Sequence, residues 1–438
     1  MLREAGDKDG LLGKSLLKDG AQGGKVMRIA VPQAVEQIIE TLTCHGYEAY
    51  AVGGCVRDSL LGREPGDWDI TTSASPYQVK ELFRRTIDTG ILHGTVTVMK
   101  NHVGYEVTTY RVDGEYEDGR HPKSVEFTSD LREDLCRRDF TINAMAYSHE
   151  TGIVDIFGGV KDLQMGIIRC VGNPLDRFRE DALRILRAMR FSAQLGFEIE
   201  ETTRTAIEEI APNLEKVSKE RIQVELTKLL CSSHPEQITD VYAMGASPFV
   251  SLAFHEIDHS QVCIPSILPA KKHIRWAAFL KDTSREKAVQ VLKDLKMDNA
   301  TISRIQTLHP WILFPIRADK AELRRVMSQM EPEWFDDLLV LREAMELGQT
   351  VFAPGEITEK IVKPAKAGTL KQMAAEIREA GDCTCLKDLA VTGKDLLAYG
   401  MKPGKQIGET LSGLLDYVLS HPEENQKEQL LKLVKDRY

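Results

Sequence analysis

The sequence predicts an α+β protein, with a small mixed-sheet head in the first third of the chain and an all-helical remainder. Three observations predict it. Short strand-like runs separated by turn residues fall between residues 47 and 128. From Asp176 onward strand signals nearly vanish and apolar residues recur at helical spacing. That helical stretch is broken at Pro265, Pro269, Pro310, Pro315, Pro354, Pro364 and Pro403, and no segment repeats.

Taken in order, residues 1–26 are polar and Gly-rich and read as a disordered leader. Met27 is followed by Ile29, Val31, Val35, Ile38 and Ile39, so folded structure is expected to begin there. Residues 47–52 form a mostly apolar run ending in Gly53-Gly54, a strand and then a turn. Residues 69–72 read as the next strand. Residues 95–99 and 105–110 read as a hairpin with 101–104 in the turn, and 124–128 as a returning strand. Between them 113–122 is polar, holds two glycines and reads as a loop. Residues 178–195, 200–210 and 219–230 read as amphipathic helices. The last helix is expected to start at Ser420-His421-Pro422-Glu423, where Ser420 can cap and Glu423 can reach back.

A chain of 438 residues predicts roughly two to four domains. No apolar run approaches the ~20 residues that span a bilayer, and no secretory signal pattern opens the chain. Eight cysteines lie far apart except Cys383 and Cys385, which fits reduced thiols in a cytoplasmic protein rather than a zinc quartet. The net charge of −9 argues against broad nucleic-acid coating. It leaves room for a local basic groove, and arginines do cluster at 137, 138, 177, 179, 184, 187 and 190. Lys271, Lys272 and Arg275 make a second, smaller cluster.

The chemistry concentrates in four motifs. Gly53-Gly54 after a buried strand lets backbone approach a phosphate closely, and Arg57 follows on the first turn of a helix with a guanidinium suited to a triphosphate. Asp67 and Asp69 stand at alternate positions of a strand and so share a face. Two like charges held together call for a cation, and hard oxygen donors facing solvent suit Mg²⁺. An isolated Asp-x-Asp reads as a polar loop, but here a phosphate-cradling turn precedes it by one short helix. Glu106, on the later strand, is the candidate third carboxylate of a two-metal site, with an exposed strand position as its alternative. Arg137-Arg138-Asp139 and Asn143 come next. The arginines can neutralise a triphosphate, and Asp139 or Asn143 can meet a ribose hydroxyl, although Asn143 equally suits a helix cap.

The fourth motif places Asp181, Arg184, Arg187 and Arg190 three residues apart along one expected helix. A salt-bridged surface helix is the alternative, but three arginines against one acid is overcharged for that. Asp181 with Arg184 also supplies a rule for base choice. Cytosine and adenine both present an exocyclic amine donor beside a ring-nitrogen acceptor, whereas guanine and uracil invert that pattern. A carboxylate and a guanidinium therefore select C and A, each contact contributing ~1–3 kcal/mol by analogy with base readout in DNA.

In this order and spacing, Gly53-Gly54-x-Val56-Arg57-Asp58, Asp67-x-Asp69, Arg138-Asp139-x-x-x-Asn143-Ala144-Met145 and Glu180-Asp181-x-x-Arg184 resemble class II tRNA nucleotidyltransferases. That group includes bacterial CCA-adding enzymes and poly(A) polymerase, within the DNA polymerase beta-like superfamily. Lys219-Glu220-Arg221-Ile222-x-x-Glu225-Leu226 resembles the family helix that braces the nucleotide-binding one. The resemblance implies a nucleotidyltransferase head at 27–165, a base-recognising neck at 166–233, a helical body at 234–316 and a tRNA-binding tail at 317–438, together in a seahorse shape. It implies Mg²⁺ on Asp67 and Asp69, and nucleotide contacts from Gly54, Arg57, Arg138, Asp181, Arg184, Arg187 and Arg190, with Gly53 in the same turn. It implies tRNA, CTP and ATP as substrates.

The segment 111–122 resembles a full-length flexible loop, which CC-adding relatives have shortened, and so favours complete CCA addition. A-adding enzymes and poly(A) polymerases share most of these motifs. Residues 275–280 resemble the approach to a His-Asp phosphohydrolase motif, but Lys281-Asp282 follows, so no phosphohydrolase activity is expected. His255-Glu256-Ile257-Asp258-His259 matches the zinc-protease pattern. Prolines on both sides leave too short a segment for the long helix that such proteases need.

Overall fold

The computed structural model describes residues 28–114, 125–260, 262–349 and 365–437. The leader 1–26 and most of the loop at 113–122 lie outside the described residues. The rest forms two compact units. The first is the chain up to Leu229 with Gln237–His255, and the second is Leu230–Glu236 with the chain from Glu256 on. No helix among the described residues is long and apolar enough to cross a membrane.

The first unit opens with α1 (Gln33–Cys44), whose Val35, Ile38, Ile39 and Leu42 form the buried face. Then come β1 (Ala49–Val52), α2 (Gly54–Leu60), β2 (Ile70–Thr72), α3 (Pro76–Leu82), β3 (Thr86–Gly90), β4 (Thr95–Lys100) and β5 (Val103–Thr109). A small ribbon of β6 (Arg111–Asp113) and β7 (Val125–Phe127), helix α4 (Leu131–Cys136) and the pair β8 (Met145–Ser148) and β9 (Gly152–Asp155) complete the sheet region. The seven-stranded sheet runs β3-β4-β5-β2-β1-β8-β9. Its β2–β5 pair is parallel, with Ile70 beside Val107, and the others are antiparallel. This mixed sheet followed by helices is the α+β architecture that the sequence predicts.

Several boundaries differ from expectation. The hairpin turn is only Asn101-His102, both with positive φ, the backbone of a two-residue turn matching strand twist. Val103 and Gly104 therefore belong to β5. The expected strand at 69–72 begins one residue later, at Ile70. Strands β3, β8 and β9 were not expected. β8 is buried at all four positions and β3 is mostly exposed, so neither shows the alternation that marks a strand.

The helical part of this unit holds α5 (Gly159–Met165), α6 (Pro174–Glu180), α7 (Leu183–Leu195), α8 (Glu201–Ile210) and α9 (Lys219–Leu230), then the short α10 (Asp240–Ala243), α11 (Ser247–Val250) and α12 (Leu252–His255). The single helix expected over 178–195 is in fact two. Asn173 caps α6 with Pro174 at its first position. Asp181 then leaves helical backbone (φ −145°, ψ 102°), and its carboxylate takes the Leu183 N–H that opens α7. Asp181 thus stands at a break, and only Arg184, Arg187 and Arg190 share α7.

The second unit carries α13 (Lys272–Leu280), α14 (Arg285–Asp294), α15 (Asn299–Ile312), α16 (Lys320–Ser328), α17 (Pro332–Gln349), α18 (Ala367–Glu379), α19 (Gly393–Ala398), α20 (Lys405–Ser420) and α21 (Lys427–Arg437). The final helix starts at Lys427, not near Ser420. Ser420 ends α20, where His421 N–H bonds Tyr417 O at 3.1 Å and the imidazole stacks on Tyr417. Arg275 is no surface charge: only 3% exposed, it donates to the carbonyls of Ser266, Leu268 and Pro269.

Candidate active site

Gly53 stands where β1 turns into α2, at φ 82°, a backbone that a side chain would strain. A Cβ there would come within 2.9 Å of Arg138 Nη1. Its N–H is spent on Met145 O at 3.1 Å. The turn therefore offers close approach of a guanidinium, not the Gly53 N–H that a phosphate cradle would use.

Asp67 and Asp69, expected at alternate positions of a strand, both lie outside it, in the irregular segment that leads into β2, and both are exposed. Asp69 is anchored by its carbonyl, which accepts from Val52 N–H at 3.0 Å. Because Ile70 pairs with Val107 in parallel, the residue before it lies beside Glu106, also exposed. Asp69 meets solvent, yet the protein around it strips part of its hydration and crowds it. That crowding, with the negative charge of Asp67 and then Glu106 against the counter-pull of Arg138, pushes its carboxyl up to about 6. The three carboxylates foreseen in the sequence are thus brought into one electrostatic neighbourhood.

Among the described residues no three His, Cys, Asp or Glu side chains stand close enough to hold a metal alone. The donor set still fits a hard divalent cation. Mg²⁺ is held by one or two carboxylates plus water and phosphate oxygens, and the crowded negative charge is what such a cation relieves.

Arg138 approaches this cluster from the end of α4. Its guanidinium lies 3.6 Å from Asp134, and its Nε is buried with no hydrogen-bond partner among the described residues. Asp134 is itself fully buried, accepting from Arg137 at 2.8 and 3.0 Å and from Thr71 on β2 at 3.1 Å. Burial opposes its charge, but Arg137 and Arg138 overcome that and hold it below the usual carboxylate range. Asp134 was not foreseen. Its signal is an acid three and four residues before two arginines, the spacing of helical ion pairs.

Arg57 grips Asp58 with Nε and Nη2, both at 2.9 Å, and donates from Nη1 to Asn143 Oδ1 at 2.6 Å. Asn143 in turn donates to Asp139 Oδ1 at 3.1 Å. Asp139 Oδ2 receives Arg187 at 2.8 and 2.6 Å. Burial alone would raise the Asp139 carboxyl. Arg187 and the Asn143 amide outweigh it and hold the group well below the usual range. Asn143 ends a 3-10 turn (Thr141–Asn143) and caps no helix. The amide of Asn143 and the carboxylate of Asp139, expected near a ribose, are engaged on protein groups.

Helix α9 braces the arginine helix, as the resemblance implies. Arg221 donates to Asp181 Oδ2 at 2.8 Å. Glu225 is buried and pairs with Arg190, with Arg187 at 4.0 Å. Arg184 is held by Glu180 at 2.6 Å and by the carbonyls of Arg177 and Arg137. Asp181 and Arg184 are therefore steadied by separate sets of partners. The protease-like motif lacks its helix: α12 ends at His255, whose Nδ1 meets Ser247 Oγ at 2.9 Å.

Three family models match in succession. The poly A polymerase head domain matches residues 49–169, the probable RNA- and SrmB-binding site of polymerase A matches 196–241, and tRNA nucleotidyltransferase domain 2 matches 269–434. The CCA-adding enzyme of Lactiplantibacillus plantarum is 36% identical over 416 residues, 91% of this chain and 95% of that one. That of Enterococcus faecalis is 36% identical over 417 residues, 91% and 94% of the two chains. The crystal structure of the Bacillus stearothermophilus CCA-adding enzyme in complex with CTP superposes with a TM-score of 0.78 at 32% identity, covering 92% of this chain and 97% of that one. On this likeness, which runs through head and helical regions alike, the chain belongs to the family of CCA-adding tRNA nucleotidyltransferases.

Proposed function

We infer that the chain adds CCA to the 3′ end of tRNA from CTP and ATP, without a nucleic-acid template and with release of pyrophosphate. The observation that carries this is the near full-length likeness to CCA-adding enzymes. The gathering of Asp67, Asp69 and Glu106 beside the Gly53 and Arg138 turn supports it.

The family uses a divalent metal, and the hard oxygens of Asp67 and Asp69 would hold Mg²⁺, with Glu106 the third carboxylate of a two-metal site. Bound there, the ion would neutralise triphosphate charge and activate the attacking hydroxyl. The chain's own residues do the positioning. Arg138 and Arg57 receive the triphosphate, and Gly53 and Gly54 keep the turn open to it. Asn143 and Asp139 hold Arg57 and Arg187 in place, Arg187 extends the basic wall, and Arg190, buried against Glu225 and Gln194, backs it. The terminal hydroxyl of the tRNA attacks the α-phosphate and pyrophosphate leaves, so that orientation and charge neutralisation supply most of the acceleration.

Asp181 and Arg184 read the base edge. A carboxylate offers about four acceptor positions, and Arg221 and the Leu183 N–H occupy two, which leaves capacity for an exocyclic amine. We divide the chain into head (27–165), neck (166–233), body (234–316) and tRNA-binding tail (317–438) after a leader (1–26), and place the enzyme in the cytoplasm.

The test is incorporation from labelled CTP or ATP with Mg²⁺ on three tRNAs: one lacking CCA, one ending in CC and one complete. Addition of C, C and A to the first, followed by a stop, is the expected outcome. A alone on the CC-ended tRNA would make it an A-adding enzyme. Long A tails would make it a poly(A) polymerase, and two C residues without A a CC-adding enzyme. No incorporation would sink the reading.

A further inference from the structure

Phe191 sits at the centre of the arginine cluster. Its ring centroid lies 3.8 Å from the Arg190 guanidinium carbon, 5.0 Å from that of Arg57 and 5.4 Å from that of Arg187. Two of these arginines come from α7 and the third from α2. The ring is 5% exposed and meets Phe140, which follows Asp139, edge-on at 5.8 Å and 81°.

Each guanidinium meets a carboxylate: Asp58 for Arg57, Asp139 for Arg187, and Glu225 for Arg190, with Arg187 also 4.0 Å from Glu225. Those carboxylates balance charge, but each approaches from a different element. The ring centroid lies within 5.4 Å of all three guanidinium carbons. Three like charges around a point repel, and the negative face of an aromatic quadrupole offsets that repulsion where a leucine of similar bulk would not.

We propose that Phe191 is a positioning residue for nucleotide binding, holding Arg57 of α2 and Arg187 and Arg190 of α7 in one fixed arrangement through the charge of its ring face. The proposal rests on the reading of those arginines as nucleotide ligands. Ordinary core packing makes a different prediction, because packing depends on the shape of the ring and not on its quadrupole.

The experiment uses the full chain in four forms: wild type, Phe191→Leu, and chains carrying trifluoro- or pentafluorophenylalanine at 191. Fluorination keeps the ring shape, cancels the negative face at about three fluorines and reverses it at five. KM and kcat are measured for CTP on tRNA lacking CCA and for ATP on CC-ended tRNA, with Tm alongside. The expected result is a KM that rises with each step of fluorination for both nucleotides, to on the order of tenfold at five fluorines, while Tm changes little. Phe191→Leu should match the trifluoro chain, since neither presents a negative face to the arginines. A pentafluoro chain with wild-type KM, whatever Phe191→Leu does, would overturn the proposal and leave Phe191 a packing residue. Arg57→Ala and Arg187→Ala chains with unchanged KM would overturn the arginine reading and the proposal with it. Wild-type protein that takes up neither nucleotide would instead sink the proposed function.

Discussion

Arg221 on α9 donates to the Asp181 carboxylate at 2.8 Å, so the residue that we assign to base reading is held from another helix, 40 residues further along the chain. Asp181 lies at a helix break, where backbone alone fixes its direction poorly. Losing Arg221 should let the carboxylate turn away from the carbonyl that uracil presents, which weakens the acceptor–acceptor repulsion that rejects it. Arg221→Leu is expected to relax discrimination of CTP against UTP by about five- to tenfold, the range of one partly exposed charge-assisted bond. Competition between labelled CTP and UTP on tRNA lacking CCA reads this directly. A variant that slows both nucleotides equally and keeps its selectivity would remove Arg221 from base choice.

The break that makes Arg221 matter was not legible in the sequence, and the reason is physical. Apolar periodicity runs through 178–195 without a flaw, because Phe178 and Leu183 to Phe191 serve the same core on both sides of Asp181. What interrupts it is a side-chain bond to Leu183 N–H and a partner far along the chain, and neither leaves a local signal. The gathering of three carboxylates was legible for the opposite reason. Asp67, Asp69 and Glu106 are polar positions beside strands whose neighbours are apolar, so their pattern survives one strand boundary being off by a residue. The sequence offered Asn143 and Asp139 for a ribose, whereas their bonds to Arg57 and Arg187 depend on a fold that brings α2, the 3-10 turn and α7 together.

Asp69 carries the second prediction. Its carboxyl is raised by crowding and by Asp67 and Glu106, a cost that a divalent cation would remove. Asp69→Ala should lower incorporation by at least about a hundredfold, since metal stabilisation of phosphoryl transfer amounts to several kcal/mol. Chelation of divalent ions should do the same to the wild type. Gel-shift affinity for tRNA should stay within about threefold in both cases, because one surface carboxylate contributes little to phosphate-driven binding. Activity surviving in Asp69→Ala would sink the metal assignment.

Arg275 separates charge from location. In sequence it completes a basic cluster with Lys271 and Lys272, but in the fold it bonds three carbonyls and is nearly sealed. Arg275→Ala would leave those carbonyls short of a charged donor in low dielectric. The expected loss is about 2–4 kcal/mol of stability in the second unit, from bonds to a charged group. Lys271→Ala should leave stability within about 0.5 kcal/mol. Thermal melting of both variants decides it, and an unshifted Arg275→Ala would mean that the clamp contributes nothing.

Asp139 gives a prediction with a pH signature. Its carboxyl is buried, yet Arg187, the Asn143 amide and Arg184 hold it well below its unfolded value. A carboxylate depressed in the folded state stabilises that state fully above its unfolded pKa, about 3.9. The contribution fades as pH falls below that value toward the lower folded one. Asp139→Asn should therefore be destabilised by about 2–3 kcal/mol, somewhat less than a fully buried pair because Arg187 keeps 33% of its side chain exposed. The deficit should be constant from pH 7 to pH 5 and shrink only below about pH 4. Urea unfolding at pH 7, 5 and 3.5 measures it. A deficit that already narrows between pH 7 and pH 5 would mean that Asp139 is not held by Arg187 in solution, and the chain of bonds from Arg57 through Asn143 to α7 would lose its charged anchor.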